Sequence, residues 1–124
     1  MSEKAPYTQR PASDATRQTT ITAIDASNPV FQRTFLKLGE GIRKEAKRAI
    51  SDLLLVDVSS APAKLHLHPL KSKMVTSAVD GKKKVKVFTF HITSSDSHKA
   101  SFTLEDGTAY LRACGPHDEI DKTP

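Results

Sequence analysis

A regular alternation of apolar and polar residues toward the C-terminal end constrains the fold more than any other feature of the sequence. Phe88, Phe90 and Ile92 alternate with Thr and His, and a second alternating run covers residues 99–104. Glu105-Asp106-Gly107 then supplies a turn into a third run, residues 109–114. Because successive side chains of a strand point to opposite faces of a sheet, these runs predict an antiparallel meander with one apolar and one polar face.

Two amphipathic helices are predicted before these strands. Asn28 followed by Pro29 is a favourable helix start. The Asn side chain can accept a hydrogen bond from a free backbone amide, and the amide hydrogen that Pro lacks would have no partner in the first turn of a helix. Gly39 and Gly41 mark a break, and the apolar residues between Ile42 and Leu54 then form one stripe. Such a short connection predicts an antiparallel helical hairpin on the apolar sheet face. The predicted fold class is therefore α+β, a helical hairpin packed on one face of a small, mainly antiparallel β-sheet.

The rest of the chain is less regular. Residues 1–18 are polar and contain Pro6 and Pro11, which predicts a flexible tail before a single domain over residues 19–124. Thr19 to Ile24 predicts a short first strand, and Lys64 to Leu70 a brief strand or extended loop. The segment from Lys71 to Lys84 is expected to be irregular.

Composition favours a basic protein outside membranes. The 19 Lys and Arg residues exceed the 14 Asp and Glu residues, a formal net charge of +5, which favours polyanionic partners such as RNA, DNA or an acidic protein. No apolar run approaches the roughly 18 residues of a membrane span, and Met1 to Thr20 lacks the apolar segment of a secretory signal. A single cysteine, Cys114, fits a reducing compartment. These features predict a soluble, cytoplasmic protein with no membrane partner.

The order of a strand, a helical hairpin and antiparallel strands resembles the RelE/ParE toxin superfamily over Pro29 to Pro124. Phe35 to Leu38, before a basic helix, resembles the leucine-bearing break between the family's helices. Leu65 to Lys73, LHLHPLKSK, resembles its h-x-L-K-G segment. Ala100 to Pro124 resembles its two closing strands and its G-x-H-D-x-x-D/Y-K ending.

The resemblance implies the toxin of a bacterial type II toxin–antitoxin system, neutralised by a cognate antitoxin protein. RelE-like members are metal-independent endoribonucleases that cleave mRNA on the ribosome and so inhibit translation, and this is the function we expect. ParE-like members lack that chemistry and inhibit DNA gyrase, which is the alternative. A catalytically degraded, toxin-like binding domain is a third possibility, because family membership does not decide the activity.

Cleavage of RNA without a metal needs a base for the 2'-hydroxyl proton, cations around the phosphate and an acid for the leaving 5'-oxygen. His117 falls at the position of the family's C-terminal histidine and is the leading acid/base candidate. Its alternative role, with Asp118, is a hydrogen bond to backbone that caps the chain end. Lys99 and His91 fall where nuclease members carry arginine, and Arg112 is the candidate for the missing guanidinium. The predicted catalytic residues are therefore His117, Lys99, Arg112 and His91.

Four further residues are candidates for contact with nucleic acid. Lys71 and Lys73 resemble the basic pair that nuclease members direct at RNA phosphates, and Lys84 lies in the strongly basic stretch that follows. Tyr110 has an aromatic ring that can stack on a base. Solvated lysines and a tyrosine that tethers a loop are the alternatives.

Metal and cofactor sites are not predicted. His66 and His68 project the same way if their segment is extended, but no Cys or carboxylate accompanies them at the usual ligand spacing. Cys114 is expected to be a packed small residue and not a nucleophile. The basic face of the second helix is a secondary candidate for contact with nucleic acid or with an acidic antitoxin, and its residues are Arg43, Lys44, Lys47 and Arg48.

Overall fold

The computed structural model describes residues 19–60 and 65–124, and over these residues the predicted α+β class is confirmed. The predicted tail, residues 1–18, lies outside them. The described helices are α1 (Pro29–Leu36), α2 (Glu40–Ser51) and α3 (His117–Lys122), and the strands are β1 (Ala23–Asp25), β2 (His68–Thr76), β3 (Lys84–His91), β4 (His98–Glu105) and β5 (Thr108–Pro116). None of these helices combines the length and the apolar character needed to cross a membrane.

The five described strands form one mixed sheet in the order β1-β5-β4-β3-β2. β1 runs parallel to β5, with Ile24 opposite Ala109, and the other neighbours are antiparallel. Asp106 and Gly107 have φ angles of 52° and 82°, as a two-residue type I′ turn requires. The predicted meander and its turn are therefore confirmed, and the first strand lies beside the last.

The sequence pattern indicated only the first residues of β2, which fall in the segment predicted as a brief strand or extended loop. The segment expected to be irregular continues as a strand to Thr76 and pairs with β3, with a register shift between Pro69 and Met74. β2 forms an edge of the sheet and exposes much of both faces, so Lys and Ser replace the apolar residues that give a strand its alternation. The register shift removes what periodicity remains.

The helix starts follow the predicted signals. Asn28 is the N-cap of α1, and its side chain accepts from the Val30 amide at 2.8 Å. Gly39 is the N-cap of α2, whereas Gly41 lies inside that helix and does not mark its boundary.

The core lies between α1 and α2 and the apolar face of the sheet. Phe90 and Phe102 are fully buried, with their rings edge to face at a centroid distance of 5.7 Å. The Thr34 hydroxyl accepts from the backbone amide of Cys114 at 3.1 Å and thereby connects α1 to β5. Burial raises the pKa of the Cys114 thiol, as suits the packed residue that the sequence predicted.

The polar face of the sheet is less open than the alternation suggested. Thr89, Lys99 and Ser101 on this face are all buried. α3 and the residues after it fold back over the face, where Ser101 Oγ and Arg112 Nε donate to the Pro124 carbonyl at 3.3 and 3.2 Å. A strand pattern identifies the polar face of a sheet, but it does not reveal that another part of the chain covers it.

Glu105 connects the β4–β5 turn to the connection after β2. Its carboxylate accepts from the Ser77 hydroxyl, and from the Ala78 amide and the Thr103 hydroxyl at 2.8 Å each. Burial raises the pKa of Glu105, but these hydrogen bonds and the charge of Arg112 outweigh it, so the pKa lies below its usual value.

We expect Gly107→Ala to lower the free energy of unfolding by about 1–2 kcal/mol, because an L side chain is disfavoured in left-handed backbone. Urea denaturation monitored by circular dichroism measures the change. The matched control is Gly81→Ala, where an added Cβ meets nothing within 4 Å, and its expected effect is below about 0.5 kcal/mol. Equal effects would contradict the assigned turn conformation.

The stability that Glu105 contributes should depend on pH. Because its folded-state pKa is lowered, this contribution is complete above the unfolded-state value, near 4.3, and is lost as the pH falls through the folded-state pKa. In urea titrations between about pH 6 and pH 3, Glu105→Gln should therefore flatten the acid-induced loss of stability. Glu40→Gln, an exposed carboxyl at the start of α2, is the control, and the same flattening in both variants would refute the role given to Glu105.

Candidate active site

A cleft of about 620 Å³ lies at one end of the sheet and collects most of the histidines of the chain. We name it the histidine cleft, and its lining residues are His66, Leu67, His68, His91, Ser94, Ser95, Asp96, Lys99, His117 and Asp121. The strand register explains how distant parts of the chain meet there. His91 at the end of β3 pairs with Lys99 near the start of β4, and Lys99 pairs with Gly115, two residues before His117.

The side chains of His117, Asp121 and Lys99 form a connected series. His117 and Asp121 lie one turn apart on α3, with His117 Nδ1 3.2 Å from Asp121 Oδ2. The other carboxylate oxygen of Asp121 accepts from Lys99 Nζ at 2.9 Å. The Lys99 side chain is 3% exposed, so this carboxylate compensates a buried charge and orients the imidazole of His117 at the same time.

His91 lies at the centre of the cleft, between two other histidine rings. Its ring stacks on His66 at a centroid distance of 4.4 Å and meets the edge of His117 at 5.6 Å, while its Nε2 is 3.1 Å from Asp96 Oδ1. Burial lowers the pKa of His91, the charge of Asp96 opposes this, and His66, Lys99 and His117 lower it further. The neutral ring is therefore favoured near pH 7.

Three of the four predicted catalytic residues meet in this cleft, namely His117, His91 and Lys99. Arg112 lies elsewhere, because its guanidinium donates to the carbonyls of Pro124 and Thr76. It lines a separate cavity of about 530 Å³ that also contains Tyr110. The guanidinium that the sequence analysis assigned to the catalytic set is therefore outside the histidine cleft.

The predicted nucleic-acid-binding residues are spread over the sheet and do not line the cleft. Lys71 is exposed on β2. Lys73 Nζ donates to the Lys122 carbonyl at 3.0 Å, and Lys84 Nζ donates to Thr76 Oγ1 at 3.1 Å. Tyr110 is half-buried in the cavity it shares with Arg112. Their contact with RNA stays a prediction.

Asp96 and Asp121 are site residues that were not predicted from the sequence. Asp121 had a signal, because it follows His117 by four residues, the spacing that places two side chains on one face of a helix. Asp96 had none, since it lies in the connection between β3 and β4. Lys44 and Arg48, from the secondary basic face, line a cavity of about 370 Å³ that shares His91 with the cleft.

The two histidines considered as a metal pair differ in backbone conformation. His66 has a φ of 49°, so the chain is not an extended strand at this residue. Its ring stacks on His91, whereas His68 Nδ1 lies 3.2 Å from the Pro69 carbonyl.

A different set of three residues lies close enough together to hold a metal ion. One ring nitrogen each of His91 and His117 and one carboxylate oxygen of Asp96 lie within 4.8 Å of one another. The spacing of these three residues in the sequence had not indicated a metal site.

Comparison of the chain with protein-family models, with curated proteins and with solved structures finds no match. The function is therefore inferred from the chemistry of the histidine cleft and from the sequence motifs.

We expect Asp121→Asn to lower the free energy of unfolding by about 3 kcal/mol, because it leaves the ammonium group of Lys99 buried without a counter-charge. Chemical denaturation at neutral pH measures the loss. Asp118→Asn is the matched control, since Asp118 lies on the same helix and its side chain is 94% exposed. A comparable loss in both variants would show that the Lys99–Asp121 pair does not hold α3 on the sheet.

Proposed function

We propose that this chain is a cytoplasmic RelE-like toxin of a type II toxin–antitoxin system, a metal-independent endoribonuclease that cleaves mRNA on the ribosome and inhibits translation. The observation that carries the proposal is the pairing of two imidazoles over one cleft. The rings of His91 and His117 are 5.6 Å apart, and a carboxylate orients His117.

A RelE/ParE-like fold with a helical hairpin is part of this proposal. It is supported by the element order, in which one strand precedes two successive helices and four strands follow. Only Lys37 to Gly39 separate α1 from α2, which favours antiparallel packing. The parallel pairing of β1 with β5 places the strand before the two helices in the same sheet as the four strands that follow them.

Two histidines in one cleft suit cleavage through the 2'-hydroxyl of RNA. In the proposed step, the 2'-oxygen attacks phosphorus, the bond from phosphorus to the 5'-oxygen breaks, and a 2',3'-cyclic phosphate and a 5'-hydroxyl result. His91 is assigned as the base that takes the 2'-proton, which its neutral ring favours. His117 then donates a proton to the leaving 5'-oxygen, and Asp121 holds its Nδ1 so that Nε2 is the nitrogen that exchanges the proton.

Lys99 has an indirect role in this mechanism. Its ammonium group is buried and bound to Asp121, so we assign it as a positioning residue that acts through Asp121 and His117. The cations nearest to His91 in the adjoining cavity are supplied by Lys44 and Arg48 of α2. A guanidinium binds phosphate in a bidentate manner, so Arg48 is the candidate for the charge that Arg112 does not supply to the cleft.

The cognate antitoxin is the proposed protein partner. An apolar groove of about 610 Å³ between α1 and α2 supports this assignment, and Phe31, Phe35 and Ile50 line it. The net charge of +5 favours an acidic partner as well as RNA.

One observation favours the alternatives. Lys99 stands where nuclease members carry arginine, and its charge is engaged by Asp121, while Arg112 lies outside the cleft. A ParE-like inhibitor of DNA gyrase, or a catalytically degraded binding domain, needs neither residue to contact a phosphate.

Inducible expression in bacteria, with mapping of mRNA 5' ends and nucleoid morphology, tests the proposal. The wild type should arrest growth and create new mRNA ends, and the His117→Ala, Lys99→Ala double variant should abolish both. On purified translating ribosomes, His117→Ala or His91→Ala alone should lower the cleavage rate roughly 10²- to 10⁴-fold, as expected for loss of a proton-transfer group.

His98→Ala is the matched control, because His98 lines a different cavity together with Cys114. It should retain cleavage. Growth arrest with intact mRNA and abnormal nucleoids would favour gyrase inhibition, and the absence of arrest would favour a binding domain.

A further inference from the structure

We propose that the histidine cleft binds a divalent transition-metal ion, zinc being the best match, through His91, Asp96 and His117, and that the bound ion inhibits the enzyme. The second part rests on the proposed function, because the ion would occupy the imidazole nitrogens that transfer protons. The first part depends on geometry alone.

One pair of ligand atoms already has the spacing found in a tetrahedral zinc site, and the third ligand lies near it. In tetrahedral zinc with bonds of about 2.0–2.1 Å, neighbouring ligand atoms are about 3.3 Å apart. His91 Nε2 and Asp96 Oδ1 are 3.1 Å apart, which matches one edge of such a tetrahedron. The ligand atoms of all three residues lie within 4.8 Å of one another, so each of the other two edges, both of which involve His117, has at most about 1.5 Å to close.

His117 has the outer contacts of a metal-binding histidine. Its Nδ1 faces Asp121 Oδ2 at 3.2 Å, which leaves Nε2 as the nitrogen for a metal ion. A carboxylate behind the imidazole fixes the ring and increases its basicity as a ligand. Lys99 in turn fixes that carboxylate from a buried position, so the outer contacts are ordered without the ion.

The backbone also brings the three ligands together. The His117 amide donates to the Ser97 carbonyl at 3.0 Å, which ties the start of α3 to the loop that carries Asp96. The Ser94 amide donates to Glu45 Oε1 at 2.9 Å and connects the other end of this loop to α2. Metal binding therefore carries a small conformational-entropy cost, because these hydrogen bonds already hold the segments that carry the ligands.

The donor set selects the class of metal. Two imidazoles and one carboxylate suit zinc and its neighbours in the first transition row, whereas magnesium and calcium prefer sites built from oxygen ligands. Three protein ligands leave a fourth position of the tetrahedron for water. With both lone pairs engaged by the ion, His91 cannot take a proton and His117 cannot deliver one.

Titration of Co²⁺ into the full chain tests the site without RNA. We expect the visible absorption of four-coordinate Co²⁺, its displacement by Zn²⁺, and binding at least tenfold weaker in His91→Ala and Asp96→Asn. Asp96 is exposed, so its substitution does not threaten the fold. His98→Ala and His68→Ala are matched controls that should retain binding, and Co²⁺ binding that is equal in Asp96→Asn and wild type would overturn the site.

A second experiment tests inhibition separately. On purified translating ribosomes, Zn²⁺ should slow cleavage by the wild type at least tenfold, and a chelator should restore it. The ratio of rates without and with Zn²⁺ should fall below twofold in Asp96→Asn. Co²⁺ binding without inhibition would overturn the inhibitory role alone. A wild type that does not cleave RNA even with the chelator would contradict the proposed function, and the Co²⁺ titration would then decide the metal site.

Discussion

The buried ammonium group of Lys99 requires a counter-charge, and the arrangement of the C-terminal end follows from this requirement. The charge lies under α3, where an unpaired cation would cost several kcal/mol. Asp121 supplies the partner, so α3 must pack over the sheet at one position. The same carboxylate reaches His117 one turn earlier, and the position of His117 fixes its distance to His91. The requirement for a counter-charge to Lys99 therefore also determines how His117 and His91 are placed in the cleft.

The histidine cleft combines two chemical capacities in the same few atoms. The imidazoles of His91 and His117 are close enough to act on one phosphodiester in the proposed mechanism, and close enough to share one metal ion with Asp96. These uses exclude each other, because a nitrogen lone pair binds either a proton or a metal. The contacts of His117 with Asp121 and with the Ser97 carbonyl hold this residue in place for both uses.

The local features of the fold were predictable from sequence, whereas its long-range features were not. The type I′ turn at Asp106-Gly107 and the cap at Asn28 are encoded within a few residues, and both predictions are confirmed. The continuation of β2 from Lys71 to Thr76 was missed because an edge strand with a register shift has no alternation. In the site, His91, Lys99 and His117 were found by residue type and motif. Asp96 was missed because tertiary structure alone brings it to His91, and the contact of Asp121 with Lys99 is likewise tertiary.

The parallel pairing of β1 with β5 has a consequence for the order in which the molecule forms during synthesis. Thr22 and Gly107, which are joined by a hydrogen bond beside this pairing, are 85 residues apart, so closing the loop between them is slow and entropically costly. α1 also packs on β5 through Thr34 and Cys114. While β5 is still inside the ribosomal tunnel, the strand with which β1 pairs and on which α1 packs is absent. A nascent chain therefore passes most of its translation without a histidine cleft, which is complete only after nearly the whole domain has emerged.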